Sequence, residues 1–283
     1  MEPNEQAPTP PPGANPVAET RTPHLPERET LTTEQQIRRR TLKAFGWFGL
    51  ASLVPVAVWK YIQSQPRVDE LPQPLRSVLN VNEQITSTYF SNQHLAPTFA
   101  VERAARRPRT NGGEGLRGAF DPATWQLTVQ QPDKATLALT LDDIKALPKH
   151  DLVFEFKCVE GWSEIQHWAG ARLSDFIATY NVGTRTGQAA TDEADFYRYV
   201  GLTTPDGGYY VGLDIAAAMH PQTLLAYEMN GQPLINPHGA PLRLIVPVKY
   251  GVKNLKRIGT ITFADDRPRD FWAERGYDYH LGL

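Results

Sequence analysis

Residues 156–163 read Phe156-Lys157-Cys158-Val159-Glu160-Gly161-Trp162-Ser163, and they place the chain's one cysteine at the end of a clean two-residue alternation. Between Asp151 and Lys157, Leu152, Phe154 and Phe156 fall on one side, and Val153, Glu155 and Lys157 on the other. This is the pattern of a half-buried strand. Period two carries Cys158 onto the Leu152/Phe154/Phe156 side, where a glycine-containing loop opens. One cysteine excludes an intrachain disulfide. In an oxidising compartment a lone thiol needs burial or a ligand. Three roles fit the residue alone: an inert buried cysteine, a nucleophile paired with a histidine such as His167, or a soft thiolate bound to a thiophilic metal that keeps it deprotonated. Zinc is disfavoured, because one cysteine and scattered histidines show no zinc-ligand spacing.

Working outward, the mixed pattern continues. Thr140-Leu141-Asp142-Asp143 predicts a short helix that Pro148 ends. Leu173, Phe176, Ile177 and Tyr180 have helical spacing. Phe196–Leu202 and Gly208–Leu213 read as strands around the turn Pro205-Asp206-Gly207. Asn230-Gly231 signals a hairpin. Leu242, Leu244 and Val246 alternate as a strand does. Ile261 and Phe263 also keep period two, with Ile258 out of step across Gly259.

A chain of 283 residues holds one large domain or two modest ones. Its formal net charge of -2 provides no basic field for nucleic acid. The 24 prolines crowd the first 30 residues and recur through the body, which favours loops and strands over long helices. Residues 1–30 carry almost no large apolar side chains and are expected to be a disordered Pro-rich tail. Thr32 and Gln35 form a capping-box pair that starts a helix. This helix runs through Arg38-Arg39-Arg40-Thr41-Leu42-Lys43 into the apolar run Ala44–Trp59, with Lys60 and Tyr61 at its end. A bilayer span takes roughly 20 apolar residues, and the flanking residues can reach the interface. Residues 31–64 are therefore expected to be a helix and transmembrane anchor or export signal, its basic side in the cytoplasm. Arg38-Arg39-Arg40-Thr41-Leu42-Lys43 also approximates a twin-arginine signal (Arg-Arg-x-x-Leu-Lys), with Thr41 where an apolar residue is usual.

The stretch 156–163 resembles the Cys-Val-Glu-Ala-Trp-Ser motif of bacterial periplasmic methionine-sulfoxide reductase catalytic subunits, within the sulfite-oxidase superfamily. Trp168-Ala169-Gly170 and Leu173, Gly239-Ala240-Pro241-Leu242-Arg243-Leu244, and Pro247-Val248-Lys249-Tyr250-Gly251-Val252-Lys253-Asn254-Leu255-Lys256 are similar to further motifs of that family, in order. Phe271-Trp272 to Gly276-Tyr277 resembles its closing aromatic stretch. The resemblance is strong over Asp151–Phe263 and weaker on either side.

It implies an α+β, β-rich sulfite-oxidase fold over 65–283, the molybdopterin-binding oxidoreductase domain, preceded by one N-terminal membrane helix. It implies a Mo-molybdopterin cofactor with a single pterin, Cys158 as the protein ligand to molybdenum, and Arg243 and Lys256 on the pterin phosphate, as a guanidinium fork and a point charge. Thr204 and His238 would add contacts, Asn254 and Leu255 would contribute backbone contacts in the same loop as Lys256, and Glu160 would relay protons or hold the ligand's surroundings. The reaction implied is oxygen-atom transfer on a sulfoxide or similar small substrate. Electrons would come from a membrane cytochrome or quinol-linked partner, since no heme, flavin or iron–sulfur motif is visible. The domain would sit on the periplasmic side of the inner membrane. Three departures stand out: His238 replaces an asparagine, Gly161 replaces an alanine, and the N-terminal pterin contacts have only Asn82 and Glu83 as candidates. The Cys-Ala-Gly-Asn-Arg-Arg pattern of true sulfite oxidases is absent. Two rivals remain. A Cys-dependent hydrolase using Cys158 and a histidine predicts alkylation-sensitive, metal-free activity. A non-catalytic membrane-tethered module of the same fold predicts no molybdenum, or molybdenum without turnover using any redox dye.

Overall fold

Thr32 opens the first element as its sequence implies. Its amide donates to Gln35 Oε1 at 3.0 Å, and its hydroxyl accepts from the Gln35 amide at 3.4 Å, a reciprocal capping box. The computed structural model describes residues 32–110, 112–117, 120–190 and 192–282, so the tail expected at 1–30 lies outside the described residues. Helix α1, Thr33–Gln63, is long and apolar enough to cross a membrane. At 1.5 Å per residue it extends roughly 46 Å. Pro55 sits inside it without ending it. Phe45, Trp47 and Phe48 are each about 70% exposed along its surface, a burden of bare apolar area that water does not favour. Two compact units divide the chain within this helix, one ending at Val58 and the other running from Trp59.

The second unit is mixed α+β and rich in sheet. It begins with a small hairpin of β1 (Arg67–Val68) and β2 (Leu71–Pro72), then α2 (Gln73–Tyr89), a helix that the sequence reading did not identify. Strands β3 (Leu127–Gln130) and β4 (Leu137–Leu139) lead to α3 (Leu141–Lys145). Thr140 and Asp143 cap α3 reciprocally, as the spacing predicts. The hairpin β5 (Lys149–Lys157) and β6 (Ser163–Arg172) runs into α4 (Leu173–Tyr180), and β7 (Tyr199–Thr203) and β8 (Tyr210–Asp214) form the second long hairpin. The expected strand start at Phe196 moves to Tyr199, because Phe196 is taken up in an isolated bridge to Thr184. After α5 (Ile215–Ala218), β9 (Leu224–Met229) and β10 (Gln232–Pro233) turn at Asn230-Gly231. Both turn residues have positive φ, 52° and 69°, the requirement of the tight hairpin turn. β11 (Arg243–Ile245) and β12 (Thr260–Ala264) complete the set.

These strands make two five-stranded sheets. One runs β10-β9-β6-β5 with β11 also on β9, and the other β4-β3-β12-β7-β8. In the first sheet, β9 alternates. Leu225 and Tyr227 join the large core shared with Val200, Leu202, Ile261 and Phe263 of the second sheet, while Leu224 and Ala226 join a smaller core with Leu152, Phe154, Phe156 and Trp168. The sheet is thus apolar on both faces. For the same reason all of 242–246 is buried, and alternation there marks two covered faces rather than one. Leu173, Phe176 and Ile177 of α4 are each at most 2% exposed against the large core.

The β6–β9 register shifts between Ala169 and Gly170. A side-chain carbon at Gly170 would lie 2.1 Å from the Leu225 carbonyl oxygen and 2.6 Å from Ala226 Cα. Both obstacles are backbone, so they cannot swing aside. Gly170→Ala is therefore expected to destabilise the protein by about 3 kcal/mol or more. Urea titration of the variant checks this, and a midpoint unchanged from the parent would contradict the close strand approach.

Candidate molybdopterin site

Cys158 is placed by the turn that joins β5 to β6. Its amide donates to the Trp162 carbonyl at 2.9 Å, and its own carbonyl accepts from the Gly161 amide at 3.1 Å. The three-residue loop Val159-Glu160-Gly161 ends on Gly161 at φ +85°. A left-handed residue thus closes a three-residue hairpin loop, a common connection of this length. A side chain at Gly161 would meet nothing within 4 Å, so space alone does not exclude the alanine of the resembling motif. The arrangement leaves Cys158 only 3% exposed, lining a cleft with Phe156, Glu160 and Trp162.

The facing wall comes from 238–256. His238 ends a short 3-10 turn at Asn236–His238, and Gly239 follows at φ +94°. A side chain on Gly239 would sit 2.8–2.9 Å from Lys256 Cβ and the Arg257 amide, so glycine lets the two loops touch. Arg243, in β11, donates from Nη1 to the His238 carbonyl and from Nη2 to the Asn254 carbonyl, both at 3.0 Å. Its guanidinium lies over the Trp168 ring at 4.5 Å from the centroid. Asn254 spends its side chain on the fold: Oδ1 accepts from the Val246 amide at 2.7 Å, and Nδ2 donates to the Tyr250 carbonyl. Lys256 Nζ donates to the Gly112 carbonyl at 3.0 Å.

The structure therefore gathers Cys158, Glu160, His238, Arg243, Asn254 and Lys256 around one cleft. Thr204 and Leu255 are not among its lining residues. Thr204 is buried in the β7–β8 turn, donating to Asp206 at 2.6 Å and accepting from the Tyr209 amide at 3.1 Å. Leu255 is fully buried in the large core, and its carbonyl accepts from the Leu244 amide. Asn82 and Glu83 lie on α2, where Glu83 pairs with Arg267; neither lines the cleft. His167 Nε2 donates to the Asp151 carboxylate at 2.8 Å, and His167 also lies outside the lining. Sequence reasoning did not select Arg109, Glu114, Phe156, Gln166, Trp168, Tyr209, Trp272 or Tyr277, all of which line the cleft. Trp168, Trp272 and Tyr277 did stand inside the quoted motifs, but Trp168 also belongs to the smaller core and Trp272 packs against the large one, so motif membership was the one signal available. Lys253 and Asp270 form a fully buried pair. Asp270 also accepts the Trp272 and Ala273 amides, which fixes the aromatic end of the cleft to the loop before Asn254.

The profile of the oxidoreductase molybdopterin-binding domain matches residues 115–272, more than half of the chain. The chain belongs to this family. It is 32% identical over 247 residues to a protein-methionine-sulfoxide reductase catalytic subunit of Burkholderia mallei, covering 83% of this chain and 71% of that one. It is 31% identical over 216 residues to the YedZ1 subunit of Azospira oryzae, covering 76% and 78%. The corresponding catalytic subunit of Ralstonia nicotianae is 37% identical over 159 residues, 55% of this chain and 48% of that one, so the match spans about half of that relative. A looser likeness in shape is to the crystal structure of the sulfane dehydrogenase SoxCD from Paracoccus pantotrophus, with a TM-score of 0.44 and 17% identity over 53% of this chain and 40% of that one.

A molybdopterin-binding oxidoreductase is thus an enzyme whose cofactor carries an anionic phosphate and a metal with thiophilic character. The cleft fits such a group. Arg243 is 3% exposed, and its Nε is buried without a hydrogen-bond partner. Loss of water pushes its guanidinium down to about 9, with no carboxylate offsetting the burial. Burial, and then the neighbouring Arg243, push the Lys256 ammonium down to about 8. Burial, followed by Arg243 and Lys256, pushes His238 down to about 4, so its imidazole is neutral at pH 7. A buried guanidinium whose burial no carboxylate offsets is costly, as at Arg243, and an incoming anion would supply what it lacks.

Lys256 gives this site a pH dependence of definite sign. Above about pH 8 the cofactor-free site loses the Lys256 proton, so affinity for an anionic group falls as pH rises, by at most about tenfold per pH unit. The cofactor-free fold should respond in the opposite sense. Its Lys256 has a pKa below the unfolded value, so stability from this residue rises between about pH 8 and the ordinary lysine value. Cofactor retention after dialysis at pH 7 and pH 9.5 tests the binding side. Lys256→Arg should flatten the dependence, and a wild-type retention that is equal at both pH values would refute it.

Proposed function

We propose that this molybdopterin oxidoreductase reduces a sulfoxide by oxygen-atom transfer, with Cys158 holding molybdenum and Arg243 and Lys256 holding the pterin phosphate. One observation carries the reading: a buried Arg243, with an orphaned Nε and no carboxylate offsetting its burial, lines the same cleft as the buried thiol of Cys158. The substrate class is supported by the names of the relatives, two of which are protein-methionine-sulfoxide reductase catalytic subunits.

When bound, the cofactor supplies the two-electron redox chemistry. The chain's residues do the remaining work. Neutral His238 keeps one ring N–H for an oxygen or anion in the cleft. The exposed Glu160 carboxylate, held by Trp162 Nε1 at 3.0 Å, takes up or delivers a proton at the mouth. Phe156 stacks on Trp162 at 5.9 Å, and Arg109 covers the same indole at 4.7 Å. With Trp272 and Tyr277 they form an aromatic surface suited to a polarizable sulfur substituent. Asn254 contributes its main chain, and Thr204 and Leu255 act through the loops they hold. In this reading α1 anchors residues 65–283 outside the cytoplasm, Arg38-Arg39-Arg40 and Lys43 mark the cytoplasmic side, and a separate membrane cytochrome or quinol-linked donor delivers electrons.

The test uses the full chain from a host that makes the cofactor. Elemental analysis should find about one molybdenum per chain, as a single thiolate-ligated site requires. Methionine sulfoxide should be reduced with a reduced dye as donor, faster than N-oxides, and sulfite should not be oxidised. A molybdenum-free folded protein would overturn the cofactor reading. A loaded protein that oxidises sulfite and leaves S-oxides untouched would overturn the substrate reading.

A further inference from the structure

Helix α2 has two unlike faces. Arg76, Leu79 and Glu83 turn toward the body: Arg76 donates to the Ala273 carbonyl at 2.6 Å and the Tyr277 carbonyl at 3.1 Å, and Glu83 pairs with Arg267. Val78, Val81, Ile85 and Tyr89 follow the i, i+3, i+7 spacing of a single stripe on the other face, and are 57, 52, 52 and 76% exposed. Arg76 and Glu83 are the helix's sole charged residues, so its outward face has none. A water-facing helix of this length normally carries charge there. Four apolar side chains on an uncharged, polar-edged face match a surface that is itself apolar.

We infer that this face of α2 rests on the lipid bilayer, in its interfacial layer. The inference rests on the reading of α1 as the membrane anchor. Only residues 64–72 separate α1 from α2, a reach of roughly 30 Å at full extension. The β1–β2 hairpin folds much of that stretch back on itself, so α2 is the first helix the chain forms after the span. Tyr89 stands at the end of the stripe, the amphipathic residue type that settles at headgroup level. The absence of charge makes the contact indifferent to anionic lipid and to salt. Because Arg76 grips the Ala273–Tyr277 segment, whose Tyr277 lines the cleft, this docking would fix the cleft's orientation toward the membrane as well as its distance.

The full chain in phosphatidylcholine vesicles tests this with nitroxide labels at Val81→Cys and Ile85→Cys, with Leu50→Cys in α1 and Asp142→Cys as references. The buried Cys158 stays unlabelled, as the parent protein verifies. Labels at 81 and 85 should collide with oxygen several-fold more than with a water-soluble nickel chelate, unchanged by high salt, while 142 shows the reverse. If 50 lies in lipid and 85 behaves like 142, the docking face is overturned and the anchor stands. If 85 is screened from both reagents, a protein partner or a second copy covers the face and the lipid inference is overturned. If 50 is open to water, the anchor reading fails and this inference falls with it.

Discussion

Arg243→Met should leave the protein largely without its cofactor while leaving the cofactor-free fold close to its original stability. In the parent, the guanidinium is fully desolvated, has one nitrogen without a partner, and has no carboxylate offsetting its burial. Methionine fills a similar volume over the Trp168 ring and removes that burden. It also strands the His238 and Asn254 carbonyls that Arg243 serves, each worth about 1–3 kcal/mol when buried and unpaired. The two effects oppose each other, so the net change in the cofactor-free protein is expected within about 2 kcal/mol. No such compensation exists in the loaded protein. Charge-assisted bonds to a phosphate contribute about 1.5–3 kcal/mol each, so losing a fork of two lowers affinity by roughly 100-fold or more. Molybdenum content of the purified variant and urea unfolding of its cofactor-free form read the two halves separately. Full molybdenum content would remove Arg243 from the phosphate site, and a collapsed cofactor-free form would make it a structural residue.

Cys158→Ser should fail in the complementary way. The pterin-side residues remain, so the variant is expected to retain molybdenum. Turnover of methionine sulfoxide should drop by more than about 100-fold, since even residues one step removed from a metal change activity by 10–100-fold, and a hard oxygen replaces a soft thiolate. The spectroscopic signature of thiolate ligation should vanish with it. Cys158 lies in a turn set by main-chain bonds from its own amide and carbonyl, which serine also makes, so folding is expected to survive. Undiminished turnover in Cys158→Ser would end the ligand assignment. The pair of variants separates holding the cofactor from tuning the metal.

Much of the body was legible because local rules and tertiary demands agree there. The Asp151–Lys157 alternation, the Thr140 cap, the Asn230-Gly231 turn and the α4 stripe each appear where their chemistry requires. α2 was missed because Pro72 and Pro74 at its start read as breakers, although proline is well tolerated in a helix's first turn. β6 was missed because its buried run includes Gln166 and His167, polar residues satisfied by Glu164 two positions along the same strand and by Asp151 on the neighbouring β5. In the cleft, Cys158, Glu160, Arg243 and Lys256 could be selected from motifs, whereas the charged Arg109 and Glu114 lie outside them. The aromatic lining could not, because an aromatic at a cleft and an aromatic in a core look alike until the packing is known. Thr204 and Leu255 came from the resemblance, Leu255 for its main chain alone, and the side chains of both are taken up by the fold.

The parallel pairing of β12 with β3 joins Thr260–Thr262 to Thr128–Gln130, and the aromatic end of the cleft comes from Trp272 and Tyr277. Synthesis must therefore pass Tyr277 before this sheet and the cleft beside it can both be complete. Contacts so distant along the chain form late and slowly. The Cys158 hairpin, whose strands pair with each other directly, can form early, whereas the wall that faces it is complete only after β12 and the Trp272–Tyr277 segment are in place.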